Sequence, residues 1–558
     1  MKECKQCKSS FEVLPEDREF LDKVAPVFNG RRYDIPDPTF CHLCRMQRRL
    51  SFRSERFLYH RKCDLTGKQI ISTYSEEAPW PVYNMDDWWS DKWDPMEYGR
   101  EFDFSRPFFE QFFELRDSVP RQALIQQKPM ENSEYCNAAS RNKNCYLVFS
   151  TNRCEDCYYG SWVNGCKNCI DSLNNIDCEL CYECVSCRGC YNVRYSIDSS
   201  NCKNSAFLRA CTGVSDSFGC SNLVNKQYYI FNKPYPKEEY EKFMAEVDLG
   251  SHETVEKIKA RIEDELSDLV VKENMGVNNE NCLGNYLRNC RNCYKTFECD
   301  NSEDLRYCIA LEGANNCMDQ SHWGVGAQWN YEVQASGYNV DHIMFSNLVW
   351  DQSSDVMYSD HCTTSKNLFG CVGLRTKKYC IFNTQYTKEE YMELVPKIIE
   401  HMKKTGEWGE FFPTAKSLYA YNETLAYEQF KLSKEAVLKR GWRWKDKESK
   451  LNYKGPKYEI PDHIKDVEND IIGKILTSEK SGEPYKLIPQ EFEFYKRNNI
   501  PIPRLTPDER HWERLSKRNL RYLYDRQCVK CSKAITTTYS PDRHEQVYCE
   551  QCYLKEVY

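Results

Sequence analysis

The chain has 558 residues, 77 basic against 84 acidic side chains for a net charge of −7, 41% hydrophobic residues and 32 cysteines. At roughly 150 residues per domain this length predicts three or four units, with too much apolar content for a disordered chain. The charge excludes a globally basic nucleic-acid coat, no run reaches the roughly 18 to 20 apolar residues of a membrane helix, and Met1 to Cys7 lacks a signal-peptide core. A cytoplasmic protein with no membrane contact is expected, and in that reducing compartment the cysteines read as metal ligands or core thiols rather than a disulfide framework.

Residues 1–95 read as a zinc module. It opens with Cys4-x-x-Cys7 and Cys41-x-x-Cys44. Each such knuckle delivers two thiolates to adjacent corners of a tetrahedron, and a shell of four leaves no open position for substrate, so the expected site is structural. A second set at matching spacing, Cys63, Thr66, Asn84 and Asp87, has degenerated. Between the two sets, Arg45, Arg48, Arg49, Arg53, Arg56, Arg61 and Lys62 face the single acid Glu55. Arginines at helical spacing behind a zinc knuckle line one face with guanidinium groups, which suits phosphate, and Phe52, Phe57 and Tyr59 are placed to stack on bases. The competing reading is a solvated helix paired with the protein's own acids, for example Asp86-Asp87 or Glu263-Asp264-Glu265.

Residues 96–130 read as a helical linker and 131–235 as a first β-solenoid. From Cys136 to Cys220 every gap between fourteen cysteines is a multiple of three, which chance gives about once in a million at one-third per gap. Period three fits neither an α-helix nor a flat strand; it fits a narrow coil whose short sides turn at corners and return an inward position every few residues. Cysteine suits such a core because it is small and apolar as a thiol. Asn164, Asn168, Asn174, Asn175, Ser199 and Ser200 are expected to supply turns and side-chain bonds to backbone.

Residues 236–275 read as a helical cap, with helices over 236–247 and 253–266. Residues 276–386 read as a second solenoid, because Phe218-Gly219-Cys220 and Lys237-Glu238-Glu239-Tyr240 return as Phe369-Gly370-Cys371 and Lys388-Glu389-Glu390-Tyr391. Between Cys317 and Cys362 the second ladder is expected to be replaced by Trp323, Trp329, Tyr331, Met344, Phe345 and Met357 as core. Residues 387–457 read as a helical cap, with helices over 387–402 and 425–439, followed by a basic linker carrying Lys445, Lys447, Lys450 and Lys454. Residues 458–558 repeat the first module: Arg514-Leu515-Ser516 to Cys528 matches Arg49-Leu50-Ser51 to Cys63. Here the first ligand set is degenerate (Ser478, Ser481, Thr506, Glu509) and the second is intact (Cys528, Cys531, Cys549, Cys552), with a hairpin predicted from Ala534–Tyr539 and Gln546–Tyr548. Arg514, Lys517, Arg518 and Arg521 repeat the basic face.

With Cys4-Lys5-Gln6-Cys7, Phe11 and Phe40-Cys41-His42-Leu43-Cys44-Arg45, the first 50 residues resemble a short zinc-binding treble-clef domain of many bacterial proteins. With Trp88-Trp89-Ser90-Asp91-Lys92-Trp93-Asp94-Pro95 and Val547-Tyr548-Cys549-Glu550-Gln551-Cys552-Tyr553, the whole chain resembles a family of uncharacterised cysteine-rich zinc-ribbon proteins of candidate-phyla bacteria. The resemblance implies an architecture and supplies no activity. Some members carry a CoA-transferase label, for which this sequence has neither strand-helix alternation nor a nucleotide loop.

The expected fold is therefore mainly β with helical caps: two duplicated β-solenoid segments flanked by two related treble-clef or zinc-ribbon modules. Two Zn²⁺ per chain are expected, at Cys4, Cys7, Cys41 and Cys44 and at Cys528, Cys531, Cys549 and Cys552. The expected function is a non-enzymatic scaffold binding RNA, DNA or a ribosome through Arg45, Arg48, Arg49, Arg53, Arg56, Arg514, Lys517, Arg518 and Arg521. Alternatives are a metal-storing or redox protein using the ladder thiols, and a solenoid-borne enzyme or a glycan or peptide binder using the aromatics from Trp323 to Trp350. Asp360-His361-Cys362, with His322 and His342 nearby in sequence, is the one suggestive catalytic cluster, although neighbours in an extended chain point apart.

Overall fold

Each side of the coil is three residues long. In the computed structural model, which describes residues 1–265, 269–446 and 457–557, Lys143, Glu155, Lys167, Glu179 and Tyr191 pair in parallel every 12 residues, as do Tyr146, Tyr158, Ile170 and Tyr182. The residue after each paired one is left-handed, with φ of 50–54° at Asn144, Leu147, Ser150, Arg153 and Asp156. The third residue of each side points inward, so that Cys145, Val148, Thr151, Cys154 and Cys157 are all buried. A left-handed residue turns the chain through a corner, and four such sides close one square turn.

Left-handed backbone costs most L-residues about 1–2 kcal/mol, and Asn and Asp tolerate it best. Asn168, Asp171, Asn174, Asp177, Asn192, Asp198, Asn201 and Asn204 accordingly sit at corners. Asn175 and Ser199, expected in turns, point inward instead and accept hydrogen bonds from Cys187 N at 2.9 Å and Cys211 N at 3.3 Å. The inward thiols stack in columns, Cys145-Cys157-Cys169-Cys181 beside Cys154-Cys166-Cys178-Cys190-Cys202. Their sulfurs donate to carbonyls, Cys157 to Glu155 O and Cys166 O at 3.4 Å each and Cys169 to Lys167 O at 3.3 Å and Cys178 O at 3.4 Å.

In the second coil the turn length varies. Glu280 pairs Arg291 across 11 residues, Asn315, Gln328 and Asp341 pair at intervals of 13, and Ser354, Lys366 and Lys378 return to 12. The long turns each hold four residues on one side, as between the paired positions Ser321 and Val325. Inward cysteines are replaced there by apolar Ala327, Val333, Val340, Ile343, Val349 and Val356 and by polar Asn330, Ser336, Ser346, Ser353 and Ser359. Trp323, Trp329, Tyr331, Met344, Phe345 and Met357, expected in the coil interior, lie outside it, because each falls on a paired or corner position; Tyr331, Met344, Phe345 and Met357 pack with helices from both flanks of the coil, and Trp323 and Trp329 are half-buried.

Each coil ends in an antiparallel hairpin, Tyr229–Ile230 with Lys233–Pro234 and Lys378–Ile381 with Thr384–Gln385. The helices Lys237–Glu246 and His252–Glu265 follow the first hairpin, and Lys388–Thr405 follows the second, started by Thr387, whose hydroxyl accepts from Glu390 N at 3.2 Å. The coils touch each other: Arg188 bonds Asp300 at 2.6 Å, and Tyr286 OH donates to Asp198 at 2.8 Å.

Two expected elements differ. The helix expected over 425–439 is two helices, Leu425–Gln429 and Lys434–Lys439, because Ser433 caps the second by accepting from Ala436 N. The C-terminal hairpin forms between Tyr524–Gln527 and Ala534–Thr537, while Gln546–Tyr548 pairs in parallel with Val270–Lys272 ahead of the second coil. Lys447, Lys450 and Lys454 lie outside the described residues. Among the described residues no helix is long and apolar enough to cross a membrane.

Candidate metal centres and the arginine interface

Each intact knuckle is a tight turn closed by backbone bonds. Cys4 N donates to Ser9 O at 2.9 Å and Cys528 N to Lys533 O at 2.8 Å. The second ligand pair starts a helix in both modules, Cys41 before His42–Leu50 and Cys549 before Glu550–Val557, where the positive end of the helix dipole favours thiolate. Within each set all four sulfurs lie within 4.8 Å of one another. The distances Cys7 Sγ to Cys41 Sγ and Cys531 Sγ to Cys549 Sγ are both 3.8 Å. A tetrahedral ion with sulfur at about 2.3 Å needs sulfurs about 3.8 Å apart, so both sets fit a zinc ion. Hydrogen bonds from Cys44, then from Cys7 and Cys4, bring the Cys41 thiol down to about 5 against its burial. At Cys528 burial raises the thiol, but hydrogen bonds from the backbone of Cys549 and Cys531 outweigh it and bring the group to about 6.

Thiol acidity does not separate the ladder from the terminal sets, since side-chain hydrogen bonds from Cys169 and Cys178 bring the ladder thiol Cys166 down to about 5 while Cys44 of the first set is raised. Burial pushes Cys211 and Cys317 up to about 12 and holds Cys308 and Cys371 well above the ordinary thiol range. Among the described residues, only the two terminal sets bring together three or more potential ligands at bonding distance of one ion.

The arginines turn inward. Helix His42–Leu50 lies on the second coil, where Arg45 reaches Asp319 at 2.5 Å, Arg48 reaches Glu332 at 2.9 Å and Glu410 at 3.0 Å, and Arg49, with 0% of its surface exposed, bonds Asp319 at 3.3 Å, Glu332 at 3.0 Å and Ser321 at 2.9 Å. Three guanidinium groups thus meet three carboxylates. Arg53 bonds Glu55 at 2.5 Å and Ser150 of the first coil at 3.0 Å, and Arg56 bonds Asp508 at 3.0 Å.

The helix Pro507–Ser516 lies on the first coil in the same manner. Arg510 and Arg514 converge on Asp171 at 3.1 and 2.7 Å, and Arg518 and Arg521 both pair with Glu298 of the second coil, Arg521 at 2.8 Å. All eight arginines of the expected nucleic-acid face are therefore in ion pairs with this chain's own acids. Lys517 is exposed; Glu183, which burial alone would raise, is held down to about 2 by Lys259 and Lys517. The acids are not the ones expected, since Asp86 pairs with Lys128 and Asp87 with Lys92. Glu55, Glu410 and Asp508 come from outside the coils, while the acids that meet the two helices from the coils stand at corners, Asp171 and Glu183 twelve residues apart in one and Asp319 and Glu332 thirteen apart in the other. Acids recurring at the turn length of a coil are the sequence signal that would have found them.

The suggestive catalytic cluster comes apart at a corner. Asp360 accepts from Arg121 and from Asn347, both at 2.8 Å, His361 faces Gln122 at 3.2 Å, and Cys362 points inward toward Cys371 O. His322 packs against Trp162 with ring centres 4.0 Å apart, and His342 pairs with Asp341. Trp323 contacts Tyr338 and Trp350 at 5.2 and 5.6 Å, while Trp329 lies against Phe20 of the first module.

No family model matches the chain, and no curated protein is similar to it. The likeness to zinc-ribbon proteins therefore rests on the ligand sets, where the geometry supports two modules that could each hold a metal ion such as zinc.

Proposed function

We propose that the chain is a non-enzymatic scaffold stapled by two structural zinc ions, in which the arginine helices clasp the two coils together. The observation that carries this reading is the burial of Arg49 between Asp319 and Glu332. A phosphate reaching that guanidinium has to displace two carboxylates already desolvated with it. The zinc ions would hold the knuckles against the helices that carry the arginines; bound to four thiolates, they supply a cross-link and no reactive position. A reducing cytoplasm fits a ladder whose sulfurs donate hydrogen bonds as thiols.

Duplication of the whole arrangement belongs to the same proposal. It is supported by corresponding corners: Tyr159, Asp171 and Glu183 in the first coil and Tyr307, Asp319 and Glu332 in the second. Arg510 lies over the Tyr159 ring at 4.8 Å and Arg45 over Tyr307 at 5.3 Å. Asn137 bonds the chain after the first arginine helix, and Asn285 bonds Thr538 of the last module.

Two measurements on the intact protein test the reading. Elemental analysis is expected to give two zinc ions per chain, and gel-shift titration at low ionic strength is expected to show no salt-sensitive binding of RNA or DNA. Binding that weakens steeply with salt, and that disappears when Arg48, Arg49, Arg53 and Arg56 are neutralised in a folded variant, would restore the nucleic-acid role.

A further inference from the structure

The two degenerate ligand sets keep the backbone of a zinc knuckle. At all four first-ligand positions the amide donates to the carbonyl five residues on: Cys4 to Ser9 at 2.9 Å, Cys63 to Lys68 at 2.8 Å, Ser478 to Glu483 at 2.9 Å and Cys528 to Lys533 at 2.8 Å. At all four the residue four places on, Lys8, Gly67, Gly482 or Ser532, is left-handed and donates back. The third ligand position opens a helical turn in every case, accepting from the residue four places on: Arg45 N to Cys41 O, Trp88 N to Asn84 O, Arg510 N to Thr506 O and Tyr553 N to Cys549 O, at 2.8 to 3.0 Å. Four loops share one conformation, and two of them lack thiolates.

What joins knuckle to helix in those two is a carboxylate from the fourth ligand position. Glu509 Oε2 accepts from Ser478 Oγ at 2.7 Å, and Thr506 Oγ1 accepts from Glu509 N at 3.2 Å. Its carboxyl, which burial would raise, is pulled below the ordinary range by the hydroxyls of Ser478 and Ser481. Asp87 Oδ2 accepts from Thr66 Oγ1 at 3.5 Å, with Cys63 Sγ 4.0 Å away, and Asp87 Oδ1 takes the Lys92 ammonium at 2.7 Å. In a metal site a central cation draws in four anions; here an anion draws in hydroxyl donors. The polarity is inverted and the connection is the same.

We infer that Asp87 and Glu509 are struts standing in for zinc, and that the chain retains two latent zinc sites wanting only ligand side chains. The inference rests on the zinc reading of the intact sets. One latent site needs three changes, since Cys63 is already present. The full-length variant Thr66→Cys, Asn84→Cys, Asp87→Cys is expected to hold three zinc ions where the unmodified protein, analysed beside it, holds two. A folded variant that still holds two overturns the inference. Fewer than two in the unmodified protein overturns the zinc reading beneath it instead. Should the triple variant fail to fold, Glu509→Ala decides: amide exchange over residues 478–483 is expected to quicken at least tenfold, with the Cys528 knuckle unchanged, and unaltered exchange removes the strut.

Discussion

Glu428 shows how burial at the clasp sets a single side chain's chemistry. Burial pushes its carboxyl up to about 7, Arg56 and Arg521 oppose the rise, Asp508 adds to it, and the imidazole of His511, itself held neutral by burial, faces it at 3.2 Å. An unfolded glutamate loses its proton near about 4.3, so between that value and about 7 the folded state binds more protons than the unfolded one. Its contribution to stability is fully present below the unfolded value and is lost as pH rises toward 7. Glu428→Gln is therefore expected to flatten the fall in thermal unfolding midpoint between pH 5 and 8. Parallel curves for variant and unmodified protein would show that Glu428 does not titrate there. Nothing in the sequence around Glu428 announced this, because the groups that perturb it come from Arg56, Asp508 and Arg521, each distant in the chain.

At the scale of elements, the period-three spacing of cysteines was enough to read a coil, since each side really is one paired, one corner and one inward residue. The inward role of Cys169 makes a plain expectation: Cys169→Ala removes a core sulfur, costs roughly 1 to 2 kcal/mol in urea unfolding, and leaves zinc content unchanged. Loss of a metal ion from a folded Cys169→Ala protein would mean the ladder binds metal. The thirteen-residue turns were not legible, because three added residues restore the triplet phase between Cys317 and Cys362 and hide the change. That concealment is also why Tyr331, Met344 and Met357 read as core of the coil when they are its outer face. The C-terminal hairpin was misread for a different reason: the partner of Gln546–Tyr548 is Val270–Lys272, and local alternation carries no information about a strand so far away.

For the whole molecule, the two end modules each bridge both coils. The first lays its arginine helix on the second coil, and its strand Val82–Tyr83 pairs with Arg121–Gln122 ahead of the first; the last module does the converse through Asp171 and Val270–Lys272. The two four-cysteine sets were readable because their spacing is local. Whether an arginine-rich helix meets phosphate or carboxylate was not, because Asp319 lies 274 residues from Arg45. The most direct test of the clasp is the coupling free energy between Arg49 and Asp319, from urea unfolding of Arg49→Met, Asp319→Asn and the double variant. An internal clasp predicts that each single change destabilises strongly, by about 3 to 5 kcal/mol, and that the double change costs less than their sum by at least about 1 kcal/mol. Additive effects would contradict the account, since two side chains that form no pair have no shared energy to lose.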